Sequence, residues 1–92
     1  YVQNLTISYD LDKPGQDYSK LIAAIKSLGW WAHMQQSVWY LHTSLTPQQV
    51  FDHLKKFIDS NDRLLVVQAT NMWAYNPMCD WTAVQKSWAV AA

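Results

Sequence analysis

Glutamate is absent from these 92 residues, and all seven acidic side chains are aspartates. Arginine occurs once, at Arg63, and cysteine once, at Cys79. Charged residues make up 15% of the chain, against about a quarter in an ordinary globular domain. Seven cations balance seven anions, so composition does not supply the basic face that marks most nucleic-acid binders. A lone cysteine excludes an internal disulfide, and with it the disulfide framework of small secreted domains. Cys79 reads as a small, inert residue near the tail. There is no apolar run long enough to span a bilayer and no basic-then-apolar leader, so a cytoplasmic protein without membrane contact is expected. Also missing are internal repeats, a glycine-rich phosphate loop, a Ser-His-Asp order and a zinc spacing.

Half of the chain is apolar. That is enough for one domain with one core between a sheet and a layer of helices, near the lower size limit for folding without staples. Residues 2–9 alternate: Leu5, Ile7 and Tyr9 share one face, and Thr6 and Ser8 the other, with Asp10 continuing their row. This is the period of a half-buried strand. Lys13, Pro14 and Gly15 end it. Asp17 is the expected cap of a helix whose apolar stripe is Tyr18, Leu21, Ile22, Ile25 and Leu28. Gly29 comes next, where a left-handed backbone is expected just past the helix end.

Residues 30–35 and 37–43 are two β-rich runs joined around Gln35, Gln36 and Ser37. Trp30, Trp31, Val38, Trp39, Tyr40 and Thr43 are the aromatic and β-branched types that strands favour. Thr46, Pro47 and Gln49 mark a second helix by capping-box spacing and proline at the first turn. Val50, Phe51, Leu54, Phe57 and Ile58 form its apolar face. Asp59, Ser60, Asn61 and Asp62 make a turn, and Leu64 to Val67 read as a buried strand.

The order is β-α-β-β-α-β within residues 1–70, the ferredoxin-like pattern of an α+β sandwich. Right-handed connections put both helices on one sheet face and give the strand order 4-1-3-2. The other face is left open by the pattern itself. Thr6, Ser8 and Asp10 are expected there, with Asp10 close to Ser37. Residues 71–92 form a tryptophan-rich extension, read as an edge segment and then a helix. Asp80 would cap that helix, and Trp81, Val84 and Trp88 would share a face that needs a cover: the open sheet face or another subunit.

The motifs "ISYDL", "QQSVWYLHTSLTPQQ" and "DSNDRLLVVQ", in this order with helices between them, resemble the CRISPR-associated protein 2 family. The same outline is similar to the virulence-associated protein D family of toxin ribonucleases. The resemblance covers about residues 3–70, and its most specific parts are Tyr9-Asp10 and the run Gln36 to Trp39. It implies a small homodimeric, ferredoxin-like protein associated with nucleic acid, with Asp10 matching the strand-end aspartate that faces its dimer mate. It also implies catalytic roles for Asp10 and Ser37. The divalent cation, Mg²⁺ or Mn²⁺, would lie between subunits on Asp10, with Asp12 as a further oxygen. The chain departs from the family in its scarcity of arginine and in its tryptophan-rich tail.

Such an ion takes oxygen ligands, lowers the pKa of a bound water and clamps a phosphodiester. One aspartate is a poor site, whereas a two-fold axis doubles it. Against this, Asp10 and Asp12 also read as residues that end a strand and solvate a turn before Pro14 and Gly15. His33, His42 and His53 are scattered and read as ordinary surface or part-buried histidines. Lys13, Lys20 and Lys26 offer a phosphate-contacting edge or simply a solvated helix face. Trp30, Trp31, Trp39 and Tyr40 offer base stacking or, more ordinarily, core and interface.

These residues support two functional classes. One is a homodimer that binds or cleaves RNA or DNA, as a metal-dependent endonuclease or its non-catalytic relative. The other is a non-catalytic scaffold whose tryptophans anchor a protein partner through the C-terminal extension. A ligand sensor, suggested by fold analogy alone, ranks last.

Overall fold

The computed structural model describes residues 2–11 and 18–90. Asp12, the turn expected at Lys13, Pro14 and Gly15, and the helix cap expected at Asp17 lie outside the described residues. The elements run β1 (Gln3–Asp10), α1 (Ser19–Lys26), β2 (Trp30–Gln35), β3 (Val38–Thr43), α2 (Pro47–Leu54), β4 (Arg63–Gln68) and α3 (Trp81–Val90), with a 3-10 turn, Lys55–Phe57, extending α2. The strands form one sheet in the order β2-β3-β1-β4, the order expected from the sequence, and every pairing is antiparallel.

The alternation in β1 decides the layers. Leu5, Ile7 and Tyr9 point under the helices and are buried with Leu21, Ile25, Trp39, Leu41, Val50 and Leu54. Inside this core the Trp39 indole N–H donates to the Tyr9 hydroxyl at 3.1 Å, which satisfies both polar tips where water does not reach. The α2 start forms as its spacing predicts. Gln49 N–H donates to Thr46 Oγ1 at 3.2 Å, and Thr46 N–H donates back to Gln49 Oε1 at 2.9 Å, a reciprocal capping box with Pro47 in the first turn. The turn at 59–62 is tied to α1, because the Tyr18 hydroxyl reaches Asp62 Oδ1 and Oδ2 at 3.1 and 3.0 Å.

Gly29 stands after α1 for a different reason from the one expected. Its φ lies outside the left-handed range, and a Cβ built there would collide with the His42 carbonyl oxygen of β3. Close backbone approach, not handedness, excludes a side chain.

A second cluster lies on the other sheet face. Ala32, Met34, Tyr40 and Val84 are buried in it, with Met72, Cys79, Trp81 and Trp88 packed alongside. Asp80 Oδ1 accepts from the N–H groups of Thr82 and Ala83 at 3.0 and 3.4 Å, which fixes the α3 start. Trp81, Val84 and Trp88 then face the sheet, as their spacing predicts. The tail therefore finds its cover within its own chain, over β2 and β3.

Two further expectations are corrected. The edge segment expected in 71–80 is not a strand; it touches β2 through one backbone bond, Met78 N–H to the Met34 carbonyl at 2.9 Å. Pro77 supplies no N–H to a ladder, and Asn76 takes a left-handed turn with φ 51°. Nor is β4 buried on both sides. Leu64 and Val66 pack under the helices, but Leu65 and Val67 are 59% and 42% exposed. The reason is topological: β4 is an edge strand, and α3 covers the opposite half of that face.

Candidate functional site

The uncovered half of the helix-free face is built by β1 and β4. Its register places Thr6 opposite Val67, Ser8 opposite Leu65 and Asp10 opposite Arg63. Two apolar side chains of β4 thus lie beside a polar row on β1, and a charged pair closes the row at one end. Thr6 meets the tail at the other side, where its hydroxyl lies 3.8 Å from Met72 Sδ.

Asp10 ends β1, as expected, on the helix-free face. Its partner is Arg63, the first residue of β4, whose Nη1 stands 3.0 Å from Asp10 Oδ2. The side chains are 71% and 81% exposed, respectively, so this ion pair contributes no more than about 1 kcal/mol. Its interest is geometric. It holds the only arginine of the chain beside the strand-end aspartate singled out by the family resemblance. Nothing local signals the pair, because the two residues stand 53 positions apart; the strand order alone brings them together.

Ser37 sits in the tight turn between β2 and β3. Its carbonyl accepts from Tyr9 N–H at 3.1 Å, so the turn is fastened to the residue before Asp10, and the expected proximity of the two motifs is met at the backbone. Asp12, the proposed additional oxygen, lies outside the described residues.

The histidines do not converge. His33 stacks on Trp39 at 4.0 Å with the rings 8° from parallel, and its Nε2 lies 3.1 Å from the Gln36 carbonyl oxygen. His53 meets Phe57 edge-on at the end of α2. His42 pairs with Trp30 across β2 and β3, at the end of β3 away from Asp10; its buried Nδ1 has no hydrogen-bond partner among the described residues. Of the lysines read as a phosphate edge, Lys26 lies 4.6 Å from the Trp31 ring centre and 5.8 Å from that of Trp39. A cation held over two indoles is engaged in the fold. Trp39 belongs to the helix-side core and Tyr40 to the second cluster, the structural reading of those aromatics.

Among the described residues, no group of three His, Cys, Asp or Glu side chains stands close enough to hold a metal ion. One chain brings Asp10 alone to this surface, with a guanidinium already beside it. The described residues of a single chain therefore do not fit a Mg²⁺ or Mn²⁺ centre. Among the same residues, no helix is long and apolar enough to cross a membrane.

No family model matches the chain. The crystal structure of a hypothetical protein TT1823 from Thermus thermophilus is similar to it, with a TM-score of 0.60 and 18% identity over 87% of this chain and 100% of that one. At that identity the likeness speaks for the fold, a small α+β domain.

Proposed function

We propose that this is a small homodimeric nucleic-acid-associated protein with a ferredoxin-like fold, resembling the CRISPR-associated protein 2 family, and that two chains meet through the uncovered β1–β4 half of the sheet. One observation carries the reading: Asp10 stands at the end of an open row flanked by the exposed Leu65 and Val67. Apolar side chains on a sheet face call for cover. The charged end of that face suits a two-fold contact, because an Asp10–Arg63 pair is self-complementary when rotated onto itself. A nuclease version of the reading needs both Asp10 carboxylates at one ion, and in each chain that carboxylate is already paired with Arg63 at 3.0 Å, so association without cleavage is the form proposed. The scaffold alternative loses Trp81 and Trp88, which pack on the chain's own sheet.

The test has two arms. Sedimentation of the wild type and of Leu65→Asp should give a dimer and a monomer; a variant that sediments like the wild type would remove the proposed contact. Retardation of labelled RNA and DNA, with Mg²⁺ or Mn²⁺ present, should show a salt-sensitive complex and intact strands. No retardation removes the nucleic-acid reading. Divalent-dependent cleavage that disappears in Asp10→Ala would replace it with the nuclease.

A further inference from the structure

A cavity of about 210 Å³ lies between α3 and the segment entering it, lined by Asn71, Met72, Trp73, Trp81, Gln85 and Trp88. Its construction comes from helix geometry. Trp81, Gln85 and Trp88 recur at i, i+4 and i+7 and so share one strip of α3. Trp88 is held from beneath, its ring stacked 5.7 Å from that of Tyr40. The opposite wall is the 71–73 segment, anchored where Met72 packs into the second cluster. Next to that anchor, Trp73 lines the cavity with most of its ring in solvent, 80% exposed.

The chemistry of the lining limits the occupant. None of the six side chains carries a charge, so an ion would be desolvated there without a counter-charge. Three indoles favour a flat, polarisable ring. Asn71 and Gln85 supply the only carboxamides. The Asn71 oxygen accepts from Met72 N–H at 3.0 Å, which fixes that amide and leaves its NH₂ group to donate. The volume is below the roughly 300–1,000 Å³ of pockets for drug-sized ligands, so the site takes one ring system.

We infer that this cavity binds a single unpaired nucleobase, stacked on Trp73 and read at its edge by Gln85 and Asn71. Carboxamides pair in bidentate fashion with the edge of adenine, and aromatic platforms hold unpaired bases whatever the sequence. The choice of a base over a sugar ring rests on the nucleic-acid reading above, but the site itself lies on α3 and uses neither Asp10 nor the β1–β4 surface.

The indole Nε1–H resonances of the ¹⁵N-labelled protein report each tryptophan separately. Titration with adenosine and with a single-stranded oligodeoxyadenylate should shift Trp73, and the matching duplex should not. A gain in affinity for the strand over adenosine assigns the base to a single-stranded nucleic acid; equal affinities assign it to a free nucleoside. Trp73→Ala should weaken binding by about five- to a hundredfold, and Gln85→Ala by less. Both residues are exposed, and unchanged circular dichroism of the variants checks that they fold. Undiminished binding by Trp73→Ala, or indole shifts given by maltose and not by adenosine, would overturn the inference. Asp10→Ala and Leu65→Asp should bind adenosine like the wild type, so a failure at Trp73 and a failure of the dimer reading are separate results.

Discussion

The two halves of the helix-free sheet face belong to one sheet and end differently. Over β2 and β3, α3 and the segment before it lie down, and Val84 of α3 is buried with Ala32, Met34 and Tyr40 of the sheet. Over β1 and β4, α3 does not reach: the tail touches only the near side of β1, where Thr6 meets Met72, and Leu65 and Val67 stay exposed. The contrast teaches that this open face is not one surface. One half is a second hydrophobic core, closed by the chain's own tail. The other leaves apolar side chains in solvent, and the proposed dimer is confined to it.

The largest effect should come from the core that both halves depend on. Leu41 is fully buried on the helix side of β3. Leu41→Ala should cost about 2–5 kcal/mol, and the denaturant midpoint should fall equally for every probe, because a central strand is shared by the whole domain. A smaller effect separates the halves. Val84→Ala removes two buried carbons from the second cluster, a loss of about 1.5–2.5 kcal/mol. Hydrogen exchange should then quicken in α3 while the amides of β1 keep their protection. Equal loss in both would show that the tail and the sheet unfold as one unit.

The smallest effect lies at the residue that links the two halves. The Tyr40 hydroxyl donates to Asn4 Oδ1 on β1 and shares a hydrogen bond with Ser87 Oγ of α3 at 3.2 Å. Tyr40→Phe should cost about 1 kcal/mol. Burial pushes the Tyr40 phenol above its ordinary pKa of 10.0, and the Ser87 hydrogen bond opposes this in part. The folded state thus holds that proton more tightly than the unfolded one. The stabilisation is complete below the unfolded value near pH 10.0 and is lost as the pH rises through the raised folded value. Alkaline unfolding curves of the wild type and Tyr40→Phe should therefore converge at high pH; parallel curves would mean that the phenol is not linked to folding.

Periodicity made the frame legible. The alternation of β1 placed Leu5, Ile7 and Tyr9 in the core and Asp10 outside it, and Thr46, Pro47 and Gln49 marked a helix start that the structure reproduces. The misses lie where local pattern does not decide. Leu64 to Val67 is a continuous apolar run, and a run carries no period to tell an edge strand from a buried one. Gly29 is dictated by a carbonyl from another strand, and the tie of Asp10 to Arg63 by strand order. The tail's spacing showed that Trp81, Val84 and Trp88 share a face, but not which half of the sheet would receive it.

The exposed position of β4 bears on more than partner binding. A six-residue edge strand whose centre is Leu-Leu-Val-Val, without proline or an inward charge, has the composition that templates misassembly between chains. Arg63 and Gln68 at its ends are its only polar gatekeepers. With a second copy as the partner, the contact also covers the outward side chains of this strand, Leu65 and Val67, and dilution exposes them again.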